Sequence, residues 1–150
     1  MRSRVAVLIA GLVAALVIAA GAAADEGGRP FSTALTGAAE APGPGDADAT
    51  GQAEITLNQG KGEVCFQLSW ANVDGTVFAA HIHEAPAGSP GPIVVPLFTG
   101  ASFPGTASDS GCVGADAELI KAIRKDPSAY YVNVHSSPNF PGGAIRGQLG

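Results

Sequence analysis

The sequence is poor in charge, in histidine and in cysteine. Only 14% of its 150 residues are charged, and 13 acidic residues against 8 Lys and Arg leave a net charge of -5. No basic run occurs anywhere, which excludes the cationic footprint of a nucleic-acid binder. There is no G-x-S-x-G elbow, no phosphate-binding loop and no dinucleotide fingerprint, so no motif supports the chemistries these serve. With 3 His and 2 Cys, any metal or redox site must be assembled from very few side chains. What the chain does hold is apolar and turn-forming: 46% hydrophobic residues, 21 Gly and 11 Pro. That is too apolar for a disordered chain, and without a Gly-X-Y period it is not fibrous. The length suits one domain.

Residues 1–24 read MRSRVAVLIAGLVAALVIAAGAAA. Arg2 and Arg4 precede an unbroken apolar run that ends in small alanines, the pattern of a cleaved secretory signal peptide. The alternative is an uncleaved membrane anchor, because residues 5–24 are just long enough to span a bilayer. Cleavage leaves no membrane span and predicts a secreted, periplasmic or otherwise extracytoplasmic protein. Export also decides how the cysteines are read. Cys65 and Cys112 are the only pair, and an oxidising compartment joins them in a structural disulfide. Catalytic thiols would favour a C-x-x-C spacing, which is absent.

Residues 25–30 (DEGGRP) read as a flexible lead-in to a domain over 31–150. Short segments of period-two alternation follow, separated by Gly, Pro, Asn and Asp. They lie at 31–36, 50–57, 63–70, 76–83, 93–98, 105–113, 130–135 and 144–149. In 63–70, Val64, Phe66, Leu68 and Trp70 share one face; in 76–83, Phe78, Ala80 and Ile82 are expected inward. Pro92 and Pro96 mark 93–98 as an edge strand. One helix interrupts near 116–126, with Leu119, Ile120 and Ile123 as its apolar stripe, Asp116 and Glu118 at its start and Pro127 as its stop. The expected fold is all-β, an antiparallel Greek-key sandwich of about eight strands with one short helix. A faint internal echo accompanies it. His83, Pro86, Gly91, Ile93 and Leu97 recur at one constant offset as His135, Pro138, Gly143, Ile145 and Leu149. Two similar strand–loop–strand units account for this.

All the histidine lies in two places, His81-Ile82-His83 and His135. On a strand, residues two apart point to one face, so His81 and His83 project together while Ile82 faces the core. With Val132 and Val134 inward, Tyr131, Asn133 and His135 take the opposite face of their own strand. If the two strands are neighbours, the three imidazoles converge on a site suited to copper, less to zinc, with a position left open. The alternative is that the histidines brace the Pro/Gly loops through backbone carbonyls. Glu84 and Asn133 are candidate orienting partners for the ligands. Arg146 is a candidate anion contact, with an ion pair as its alternative. Trp70, Tyr130 and Tyr131 read as packing residues rather than a ligand platform.

AAHIHEAPAGSPGPIV, DPSAYYVNVHSSPNFPGGAIRGQL and the opening FSTALTGAAEAPG together resemble the CHRD (chordin-type) domain family over about residues 31–149. The resemblance implies an immunoglobulin-like β-sandwich in a secreted protein, with no agreed enzymatic activity. The chain is more distantly similar to copper–zinc superoxide dismutase, where His81, His83, His135 and Arg146 would correspond to copper ligands and an anion guide. It lacks the histidine that bridges the two metals there and any zinc-ligand cluster, so a zinc site of that kind is excluded. Three functional readings follow. The first is a non-enzymatic extracytoplasmic binding or accessory module with one copper ion at the three histidines, its partner an unidentified protein or small ligand. The second is a mononuclear copper oxidoreductase of the dismutase type. The third is a matrix or adhesion domain in which the histidines only tie loops.

Overall fold

The computed structural model describes residues 28–150, so the expected signal segment and the start of the lead-in lie outside the described residues. Eight strands follow the expected pattern: β1 (Arg29–Thr36), β2 (Thr50–Asn58), β3 (Glu63–Ala71), β4 (Thr76–Glu84), β5 (Ile93–Phe103), β6 (Ala107–Gly114), β7 (Tyr130–Ser137) and β8 (Ile145–Gln148). The single α-helix, α1 (Ala117–Lys125), starts where Asp116 caps it by accepting from the backbone N–H groups of Glu118 and Leu119 at 2.9 and 3.1 Å. It buries Ile120 and Ile123.

The strands form one continuous antiparallel sheet in the order β5-β4-β7-β8-β1-β2-β3-β6, curled into a nearly closed barrel. The antiparallel all-β architecture with one short helix is as expected. Both layers of the sandwich belong to this one sheet. β5 is an edge strand, as its prolines require, and β6 is the other edge. The gap between them is filled by aromatic packing, with the Trp70 ring 6.1 Å from Phe98 and 5.5 Å from Phe103. Trp70 also donates its indole N–H to the Pro104 carbonyl at 3.0 Å. The core is the inward face of every strand, including Val64, Phe66, Leu68 and Trp70 of β3 and Val132 and Val134 of β7.

Two local expectations are corrected. β1 begins at Arg29, inside the segment read as a lead-in, because Arg29 and Pro30 already stand in register with Leu57 and Thr56 of β2. The alternation expected in β4 is broken by a bulge between Val77 and Ala79. Val77 therefore takes the core position, and Phe78 lies on the other face with its ring 6.1 Å from that of His135.

Cys65 and Cys112 are joined, and they face each other directly across the β3–β6 ladder. β6 has β3 as its ladder neighbour and nothing beyond it, so the bridge pins an edge strand. A Cys65→Ser/Cys112→Ser variant is expected to lose about 2–4 kcal/mol of stability. Denaturant unfolding of the oxidised protein beside the variant measures this, and coincident midpoints would mean the bridge contributes nothing.

Candidate metal site

β4 and β7 are neighbours, with His81 opposite Asn133 and Ala79 opposite His135. This pairing brings the three histidines together. The ring centroids of His81 and His135 are 4.8 Å apart, and those of His83 lie 5.6 and 6.0 Å from the other two. One nitrogen from each ring falls within 4.8 Å of the others, a grouping that could hold a metal ion. The rings stand on the non-core face, but they are not open to solvent: His81, His83 and His135 are 7%, 7% and 6% exposed. The loops that follow β4 and β7 fold back over them.

Hydrogen bonds to those loops decide which nitrogens are available. His83 Nδ1 donates to the Gly91 carbonyl at 2.9 Å and His135 Nδ1 to the Pro141 carbonyl at 3.1 Å. Each bond consumes the ring proton and turns the bare Nε2 inward. His83 Nε2 is buried without any hydrogen-bond partner. His135 Nε2 lies 3.0 Å from His81 Nδ1 and 2.9 Å from Asn133 Oδ1. With its own proton on Nδ1, His135 Nε2 accepts from His81 Nδ1, and the nitrogens grouped for an ion are His83 Nε2, His135 Nε2 and, once its proton moves to the other ring nitrogen, His81 Nδ1. Among the described residues one other group has ligand-like spacing, Glu63 with Cys65 and Cys112, and the disulfide removes its thiols.

The remaining candidates are placed less uniformly. Asn133 is buried among the histidines. Glu84 is exposed at the end of β4, on the face opposite His83, where its charge acts on the Tyr130 hydroxyl. Arg146 is buried with its guanidinium 3.3 Å over the Tyr131 ring. It forms hydrogen bonds to the Ser89 and Pro86 carbonyls at 2.8 and 3.0 Å and to Gln148 Oε1 at 3.2 Å, and the Glu40 carboxyl lies close enough to favour its charge. Tyr131, read from the sequence as packing, stacks on His83 at 4.8 Å with the rings 9° from parallel. Its hydroxyl accepts the Gly91 N–H at 3.3 Å.

Glu40, in the loop after β1, had no signal in the sequence. Its carboxyl is packed beneath Gly143, where a Cβ would fall 2.6 Å from the carboxyl oxygens. That close approach, with φ at 137°, is why a glycine stands there. Asn133 and Arg146 lie close enough to act on the carboxyl, and its Oε1 has no hydrogen-bond partner. Burial raises the Glu40 pKa to about 7 against the opposing pull of Arg146.

Burial also keeps the imidazoles neutral. His81 is lowered to about 4 by desolvation and then by His135 and His83, and desolvation lowers His83 and His135 too. All three are lone-pair donors at neutral pH, the form a metal requires. Because their folded pKa values lie below the ordinary 6.5, the unfolded chain takes up protons first on acidification. The His81 contribution is complete above about pH 6.5 and lost as pH falls through about 4, and those of His83 and His135 are lost in the same direction. Glu40 acts oppositely, stabilising below its ordinary 4.5 and losing that contribution as pH rises through about 7. The thermal midpoint of the metal-free protein is therefore expected to fall steadily from pH 6.5 to pH 4. A midpoint that stays level over that interval would contradict the burial argument.

The sequence model of the CHRD domain matches residues 31–149. No curated protein and no solved structure matches the chain.

Proposed function

The chain belongs to the CHRD-domain family, and from that premise we propose a secreted, non-enzymatic binding or accessory module that carries one copper ion at His81, His83 and His135. In this reading residues 1–24 direct export and are removed, and the partner is an extracytoplasmic protein or small ligand. The observation that carries the metal is the bare, buried Nε2 of His83. A histidine kept only to brace a loop needs one nitrogen, and Nδ1 already serves Gly91. Leaving the second nitrogen desolvated and unpaired costs about 1–3 kcal/mol, a cost that an ion would offset. Among divalent ions, an imidazole-rich site favours copper by intrinsic affinity.

The module reading is preferred to a dismutase because Arg146 is not free to guide an anion. Its N–H groups point at loop carbonyls and its plane lies on Tyr131. Titration of the purified protein with Cu(II) and with Zn(II), followed by calorimetry, tests the proposal. One Cu(II) per chain is expected, bound more tightly than Zn(II). Copper uptake that persists in a variant with all three histidines replaced by alanine would refute it.

A further inference from the structure

We infer that Asn133 supplies a fourth, oxygen donor to the ion and that Glu40 is the positioning residue that turns the amide toward it. This rests on the metal-binding reading above. Three observations converge. First, Asn133 Oδ1 lies 2.9 Å from His135 Nε2, whose proton is on the other nitrogen because Nδ1 donates to Pro141. Two acceptors facing each other at that distance repel unless something positive lies between them. His81 Nδ1 stands 3.0 Å from the same nitrogen. Separations near 3 Å are those of adjacent ligands sharing one ion at bonds of about 2.0–2.1 Å.

Second, the fold repeats itself about the β4–β7 contact. The sheet order β5-β4-β7-β8 sets two hairpins back to back, and His81 stands directly opposite Asn133 in the ladder. His81-Ile82-His83 of β4 therefore matches Asn133-Val134-His135 of β7 residue for residue. His83 and His135 are equivalent, each tied through Nδ1 to its own hairpin loop. Asn133 takes the place that His81 takes in the other hairpin, which makes four inward-facing donors about one local axis.

Third, Glu40 gives the amide a direction. An amide offers either its oxygen or its NH2 group, and the side chain alone does not choose. The Glu40 carboxyl is held under Gly143, and Asn133 and Arg146 lie close enough to act on it. The buried Glu40 Oε1 is an acceptor without a partner, so an NH2 end turned to Glu40 satisfies it and leaves the amide oxygen for the histidines. The bare His83 Nε2 has the same amide beside it.

The test uses the purified protein with Cu(II) alone, reading affinity by competition with a chelator and the ligand set by electron paramagnetic resonance. Wild type and Asn133→Ala are both expected to bind one ion, the variant about 10- to 100-fold more weakly and with a changed copper spectrum. Glu40→Gln, whose NH2 group can now donate to the asparagine oxygen, is expected to move affinity and spectrum in the same direction. An aspartate at 133 presents oxygen whichever way it turns, so Glu40→Gln/Asn133→Asp is expected to bind as tightly as wild type. That variant also covers the case in which Asn133→Ala fails to fold. Wild-type affinity and spectrum in Asn133→Ala and Glu40→Gln, with copper still lost from His83→Asn, would overturn the fourth donor and leave the three-histidine site standing. A double variant as weak as Glu40→Gln alone would overturn the positioning role. Failure of the wild type to take up copper would remove both readings together.

Discussion

Replacing His83 by asparagine is expected to abolish the copper-dependent rise in thermal stability while leaving the metal-free protein close to the wild type. The two consequences separate because the two ring nitrogens do different work. Nδ1 holds the loop after β4 through the Gly91 carbonyl, and an asparagine side chain can place its NH2 group where that N–H stood. Nε2 has no partner, and asparagine has no counterpart for it. An ion present at 100 times its dissociation constant stabilises the folded chain by about 2.7 kcal/mol, and this increment should vanish in His83→Asn. Differential scanning calorimetry with and without one equivalent of Cu(II) measures it. His83→Ala removes both functions and should lower the metal-free midpoint as well. Should His83→Asn keep the full copper-dependent rise, the metal lies elsewhere and the histidines serve the loops alone.

Loss of Arg146 is expected to destabilise the fold more than any other single change in or around the site. The residue is 1% exposed, and its environment repays a buried charge in three ways. The guanidinium closes the Ser89 and Pro86 carbonyls, lies 3.3 Å over the Tyr131 ring and faces the Glu40 carboxyl. Arg146→Met keeps much of the volume and removes all three contacts, leaving two loop carbonyls and a buried acid without their partner. Removing one member of such a buried charged set costs about 3–5 kcal/mol, a fall of about 10 °C or more in the midpoint of a domain this size. Arg146→Lys keeps the charge but not the planar fork, and should recover only part of the loss. Urea unfolding of the metal-free proteins is the measurement. A surface anion guide would behave differently: the methionine variant would unfold with the wild type and change only reactions with anions. That result would reopen the dismutase reading.

Much of the molecule was legible before folding because it is written in short-range order. Period two in β3 and β7, the acidic start of α1 at Asp116 and the prolines around β5 all act within a few residues of themselves. Each stands where the sequence reading put it. The same rule placed His81, His83, Asn133 and His135 on the non-core face of their strands. The misses share a different origin. Phe78 was assigned inward because alternation was carried through a bulge that exists only once β4 is paired on both sides. The loop carbonyls that Arg146 holds have no local signal either, because they lie more than fifty positions earlier in the chain.

Glu40 shows the limit most plainly. It sits in a Pro- and Gly-rich stretch whose neighbours along the chain say nothing about metal ligands, and it reaches the site only where its loop packs under Gly143. Its Gly-Gly counterpart, Gly142 and Gly143, reads locally as a turn. Backbone periodicity and terminal hydrogen bonds are local energies, so the sequence by itself determined the strands, the helix and which face each histidine takes. Which strands pair, how deeply the loops bury the rings and which acid turns the amide were decided by closing the sheet. Those contacts join residues distant along the chain, and they take shape only when the whole apolar face is buried at once.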